Sequence, residues 1–109
     1  MSDAEIIEKM ISLSKKILSY IQNLDYDEFS KKEMIVEACA FNLGQLGELS
    51  HKLSGEFQDD YLNIPWKSIY GMRNKIIHDY EGVNLKVVWE TVSEDLPQLI
   101  EQLEKCIKP

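Results

Sequence analysis

Apolar residues recur at three- and four-residue intervals along nearly the whole chain, and no stretch alternates apolar with polar residues long enough to form a strand. Ile6, Ile7, Met10, Ile11, Ile17, Leu18, Ile21 and Leu24 make one stripe. Ile35, Cys39, Leu43, Leu46, Leu49 and Leu53 make a second, and Leu85, Val88, Trp89, Val92, Leu96, Leu99, Ile100 and Leu103 a last. This is the period of a helix with one face on a core. Glycine and proline are sparse, five and three among 109 residues, so the connections are short. The pattern predicts an all-α fold: one domain over residues 1–109, an antiparallel bundle of four or five helices.

The capping residues refine this reading. Ser2-Asp3-Ala4-Glu5 has the form of a capping box, in which a hydroxyl and a glutamate each satisfy a backbone N–H of the first turn. Ser30-Lys31-Lys32-Glu33 has the same form and should open a long second helix to about Leu53, with Ser54-Gly55 as its stop. Between the two, the polar stretch Asp25–Glu28 should be a break. Pro65 suits the first turn of a third helix running to about His78 or Asp79, and Asn84 suits the cap of a fourth. Pro97 should kink that fourth helix, or split it so that Asp95 caps a short final one.

No apolar run approaches the ~18 residues of a membrane span. The acidic start Met1–Glu5 does not resemble a signal peptide, and Cys39 and Cys106 form no metal or redox motif; a cytoplasmic protein with reduced thiols is expected. A net charge of −7 argues against non-specific coating of nucleic acid, which needs clustered cations. The distribution is more specific. Between Tyr61 and His78 there is no acid, whereas Lys67, Arg73, Lys75 and His78 fall there; from Asp79 to Glu104 there are seven acids and one cation, Lys86.

Arg73 is the only arginine among twelve cationic residues. At about 100° per residue, Trp66, Ile69, Tyr70, Ile76, Ile77 and Tyr80 all project within roughly 60° of it. A guanidinium in an apolar stripe needs an anionic partner, a route to solvent or a wet cleft. Asn74 follows directly, with His78 and Tyr80 just beyond. On a straight helix His78 points about 140° from Arg73, so the two can share one phosphate only if the helix ends or bends near His78 or if two copies meet. The apolar stripe favours a twofold dimer with a composite cleft. Glu48-Leu49-Ser50-His51 has the Glu-x-x-His spacing of di-iron bundles, but a second copy of that motif is missing. A solvated or cleft-edge place is expected for Glu48 and His51, and no metal or other cofactor is expected.

At these residues the sequence resembles a known family. Arg73-Asn74-x3-His78 is similar to the signature of the HEPN superfamily of helical ribonucleases, and with Tyr80 the string resembles that of its HepT branch. Ile64-Pro65-Trp66, Gly71-Met72-Arg73-Asn74, Val88-Trp89, Asp95-Leu96-Pro97 and Phe41–Glu48 extend the likeness over nearly the whole chain. The resemblance implies a HEPN-like bundle, a homodimer with its cleft between protomers, and metal-independent cleavage of RNA. It further implies the toxin half of a two-gene toxin–antitoxin system. The partner would be a minimal nucleotidyltransferase antitoxin that transfers AMP to Tyr80.

The residue chemistry fits such a role. His78, with an ordinary pKa near 6.5, can act as base or acid near neutrality. Arg73 can grip two phosphate oxygens, and Asn74 can orient the phosphate or the imidazole. A second reading is a non-catalytic module that binds a nucleotide or partners a nucleotidyltransferase; the acidic net charge favours it.

Overall fold

A computed structural model describes residues 1–78 and 84–107. Its regular elements are all helical: α1 (Asp3–Tyr20), α2 (Tyr26–Ser30), α3 (Glu33–His51), α4 (Gly55–Asp60), α5 (Trp66–His78), α6 (Leu85–Glu90), a π-helical turn (Thr91–Asp95) and α7 (Leu96–Ile107). The all-α expectation holds, with more and shorter helices than the periodicity suggested. Among the described residues, no helix is long and apolar enough to cross a membrane.

The first capping box forms as expected. Glu5 N–H donates to Ser2 Oγ at 3.1 Å, and Ser2 N–H donates to Glu5 Oε1 at 3.3 Å. The second expected box does not form. Ser30 Oγ instead donates back to the Asp27 carbonyl at 2.8 Å, and α3 starts after Lys32 without a side-chain cap. The box has moved five residues upstream: Asp25 Oδ1 accepts from Glu28 N–H at 2.8 Å, and Glu28 accepts from Asp25 N–H. The polar stretch read as a break therefore starts the short helix α2. Its Phe29 is fully buried and packs on Trp89, with ring centroids 5.1 Å apart. Ser54 likewise caps rather than stops: α3 ends at His51, and Ser54 Oγ accepts from Phe57 N–H to start α4.

Asn84 caps α6 as expected, its Oδ1 accepting from Lys86 and Val87. Asp95 does not become a cap; the last residues before Pro97 form a π-helical turn instead. Proline removes one backbone donor and its ring crowds the carbonyl four residues earlier. A π turn inserts one extra residue at that level, with Leu96 N–H donating to the Thr91 carbonyl five residues back. Leu96 keeps helical dihedrals (φ −64, ψ −42), so α6, the turn and α7 follow one another without an intervening loop.

The core is built from Ile6, Ile7, Met10 and Ile17 of α1, Cys39, Leu43 and Leu46 of α3, and Val92, Leu96, Leu99 and Leu103 beyond residue 90, all buried. Burial pushes the Cys39 thiol up to about 11. Helix α3 carries a second buried stripe, Ala40, Gly44, Gly47 and Ser50. It has almost no side-chain bulk, so a neighbouring helix can lie close. Helix α3 packs on α5 more extensively than any other pair of elements.

Candidate functional site

Helix α5 carries the Arg73–His78 stretch, so what fixes α5 fixes the site. Its start is held by Trp66, which is buried, with Nε1 donating to the Tyr61 carbonyl at 3.1 Å and its ring edge-on to Phe57. Ile69 is buried one turn on, and its N–H donates to the Pro65 carbonyl. The α4 segment that presents Phe57 is tied to the first turn of α1. Ser54 N–H and Oγ donate to the two carboxylate oxygens of Asp3 at 2.9 and 2.7 Å. Those bonds, the backbone one foremost, hold the Asp3 carboxyl below its usual range.

Past Ile69, Tyr70 meets the end of α3. Its ring stacks on His51 with centroids 4.2 Å apart and planes 15° from parallel. Tyr70 is half-buried and His51 exposed. Because α3 ends at His51 and α5 continues from Tyr70 along it, the two helices run antiparallel. Residues 73–78 therefore pass the level of the Gly47–Glu48 segment and beyond. Glu48 is half-buried there. His51 is exposed, in keeping with the expected solvated or cleft-edge place, and it also makes this aromatic contact.

Arg73, Asn74 and His78 are backbone positions of a single α-helical segment, without a break between them. Arg73 and His78 are thus about 7.5 Å apart along the axis and roughly 140° apart around it. Tyr80 lies outside the described residues. Glu48 and His51 acquire no third ligand: among the described residues no group of three His, Cys, Asp or Glu is placed to hold a metal.

A cavity of about 500 Å³ opens on the other side of α5 from Tyr70, against the π turn and α7. Ser68, Ile69 and Met72 face Thr91, Asp95 and Leu99 across it. The described lining has one carboxylate and no cation, which suits an anionic phosphate poorly. The side of α5 that meets α3 is the better candidate. Lys67 and Lys52 are exposed beside the Tyr70–His51 pair in sequence.

A helical bundle that presents an arginine–histidine helix in a cation-bearing, acid-free segment is of the kind found in helical nucleases. The sequence profile of the HepT-like ribonuclease family matches residues 7–106. The chain belongs to that family, and its enzyme class is RNA endonuclease. It is 30% identical over 107 residues to a protein named "Probable ribonuclease HepT" from Thermococcus cleftensis, covering 98% of this chain and 97% of the relative. It is 36% identical over 92 residues to a protein of Methanocaldococcus jannaschii named as a candidate RNase, covering 84% and 76%. A similarly named protein of Caldanaerobacter subterraneus is 29% identical over 102 residues, covering 94% and 91%. No solved structure matches the chain significantly.

Proposed function

We propose that this chain is the toxin of a two-gene toxin–antitoxin pair and cuts RNA without a metal ion, using Arg73 and His78 contributed by two copies of α5. The observation that carries the reading is the family match over residues 7–106 joined to the string Arg73-Asn74-x3-His78-x-Tyr80. Helix geometry within α5 supports a composite site. With no break between residues 73 and 78, the two backbone positions lie about 140° apart around the helix, on different sides of it. A second copy across a twofold axis supplies the missing partner. Exposed Met34 and Phe41 (84% and 66%), seven residues apart on α3, offer apolar surface for such a copy.

In this reading one His78 removes the proton of the ribose 2′-hydroxyl, whose oxygen attacks the adjacent phosphorus. Arg73 holds two non-bridging oxygens through its planar fork as negative charge builds there. Asn74 orients the phosphate or the imidazole. The bond from phosphorus to the 5′-oxygen breaks, and His78 of the second copy protonates that oxygen. The products are a 2′,3′-cyclic phosphate and a 5′-hydroxyl. The partner antitoxin, a minimal nucleotidyltransferase, silences the site by transferring AMP from ATP to the Tyr80 hydroxyl with release of pyrophosphate. The added phosphate then competes for Arg73.

The test compares wild type with Arg73→Ala and His78→Ala on total RNA and tRNA, with product ends identified. Both variants should lose cleavage by a factor of 100 or more, roughly the scale of a general acid–base group. Full activity of His78→Ala in a clean preparation refutes the mechanism. The acidic net charge of −7 favours a second reading, a non-catalytic module that partners the nucleotidyltransferase. Absence of cleavage by wild type, with AMP still transferred to Tyr80, would establish it.

A further inference from the structure

We propose that His51 and Tyr70 form a stacking platform for a base of the RNA, placed beside the phosphate held at Arg73. The inference rests on the ribonuclease reading above and adds a subsite to it. The two rings lie nearly parallel at 4.2 Å. Tyr70 is half-buried in the α3–α5 seam, whereas His51 is exposed. One face of the imidazole is therefore occupied by the phenol ring and the stack ends in solvent. A nucleobase can extend such a stack whatever its identity, because every base has a π face.

Position supports the same reading. Tyr70 precedes Arg73 by three residues, so their backbone positions are about 4.5 Å apart along the helix axis and within one turn of each other. The surroundings suit an anionic strand. Exposed Lys52 adjoins His51, and exposed Lys67 lies one turn before Tyr70; no acid occurs between residues 61 and 78. Aromatic rings flanked by cations are the ordinary means of holding single-stranded nucleic acid. A stack that only fastened the end of α3 to α5 would need neither an exposed histidine nor the flanking lysines.

The experiment uses short single-stranded RNA carrying 2-aminopurine at each position in turn around the cleavage site. An uncleavable version has a 2′-deoxy sugar at that site. Stacking quenches the 2-aminopurine fluorescence, so binding is read without cleavage. Wild type should quench at one or two adjacent positions. His51→Ala should abolish that quenching and raise KM roughly 5- to 100-fold, the range of one base–aromatic stack, with kcat within about twofold. His51→Phe, which keeps a flat ring, should restore quenching and most of the KM.

Absence of quenching by wild type at every position overturns the platform, as does undiminished quenching by His51→Ala. A His51→Phe variant as defective as His51→Ala also overturns it, because stacking would then not be what the imidazole supplies. Quenching that persists while Arg73→Ala and His78→Ala still cleave would remove the catalytic reading and leave the platform standing.

Discussion

Replacing Trp66 tests whether the start of α5 is held as described. The indole is 8% exposed and its Nε1 donates to the Tyr61 carbonyl at 3.1 Å. That carbonyl also accepts from Ile64 N–H at 3.1 Å, so it keeps one partner when the indole donor is removed. The hydrogen-bond loss in Trp66→Phe should therefore be about 1 kcal/mol, not the larger cost of a stranded group. An indole buries on the order of 50 Å² more than a phenyl ring, which adds about 1.2 kcal/mol. The sum is about 2 kcal/mol, or a fall in Tm of roughly 8–16 °C for a domain of this size. Trp66→Ala should cost about 3–5 kcal/mol. Urea unfolding followed by circular dichroism measures both. A Trp66→Phe variant within 0.5 kcal/mol of wild type, on the order of the error between surface substitutions, would refute the anchoring. So would a Trp66→Phe variant as unstable as Trp66→Ala, since the ring would then contribute nothing beyond its donor.

Other perturbations probe separate parts of the fold. Cys39 is fully buried with its pKa raised to about 11, and the Cys106 thiol is raised less; a disulfide probe at pH 8 should label Cys106 first and Cys39 only on unfolding. Prompt labelling of both in the folded state would contradict the core placement. The Asp3 carboxyl is lowered by its bonds from Ser54, so its contribution is present above the unfolded pKa near 4 and is lost as pH falls through the lower folded value. The stability gap between wild type and Asp3→Asn should thus close on titration from pH 6 to pH 2, and a constant gap would refute the clasp. Ser14 is fully buried and its hydroxyl has no partner among the described residues. Ser14→Ala should raise stability by about 1 kcal/mol, which the same unfolding assay would register.

The helical class was legible because periodicity is a property of single elements: each apolar stripe predicts burial of its own face, and Cys39, Leu43, Leu46, Val88, Val92 and Leu99 are indeed buried. What escaped the sequence depends on competition between neighbouring signals. Two neighbouring strings, Asp25–Glu28 and Ser30–Glu33, both spell a capping box. The first forms, because α2 brings Phe29 into the core, and Ser30 is then left inside a helix, bonding backward to Asp27. Ser54-Gly55 reads equally as the end of one helix or the beginning of the next, and the tie from Asp3, 51 residues away, decides it. The π turn before Pro97 has no sequence signature beyond the proline itself. The His51–Tyr70 contact joins residues 19 apart, which no local pattern can announce.

The geometry of α5 bears most directly on how two protomers would have to meet. Trp66, Ile69 and Tyr70 share the azimuth of Arg73, and all three are spent on contacts with α3, α4 and the core. The same stripe, continued for one more turn, brings position 73 to the level at which α3 offers Gly47 and half-buried Glu48. Position 78, about 140° round the helix, belongs to a different side. In a twofold assembly, the axis must therefore lie close to the C-terminal turns of α5, so that position 78 of one copy faces position 73 of the other. Under the proposed composite site, the exposed Phe41 side of α3 is the surface that would meet the second copy, in preference to the cavity against α7. If the proposed twofold assembly is right, a Phe41→Glu variant should be monomeric and lose cleavage together, with α-helical content retained. Sedimentation alongside the RNA assay separates the outcomes: cleavage by a monomeric Phe41→Glu chain would show that one copy suffices and that the composite cleft is wrong.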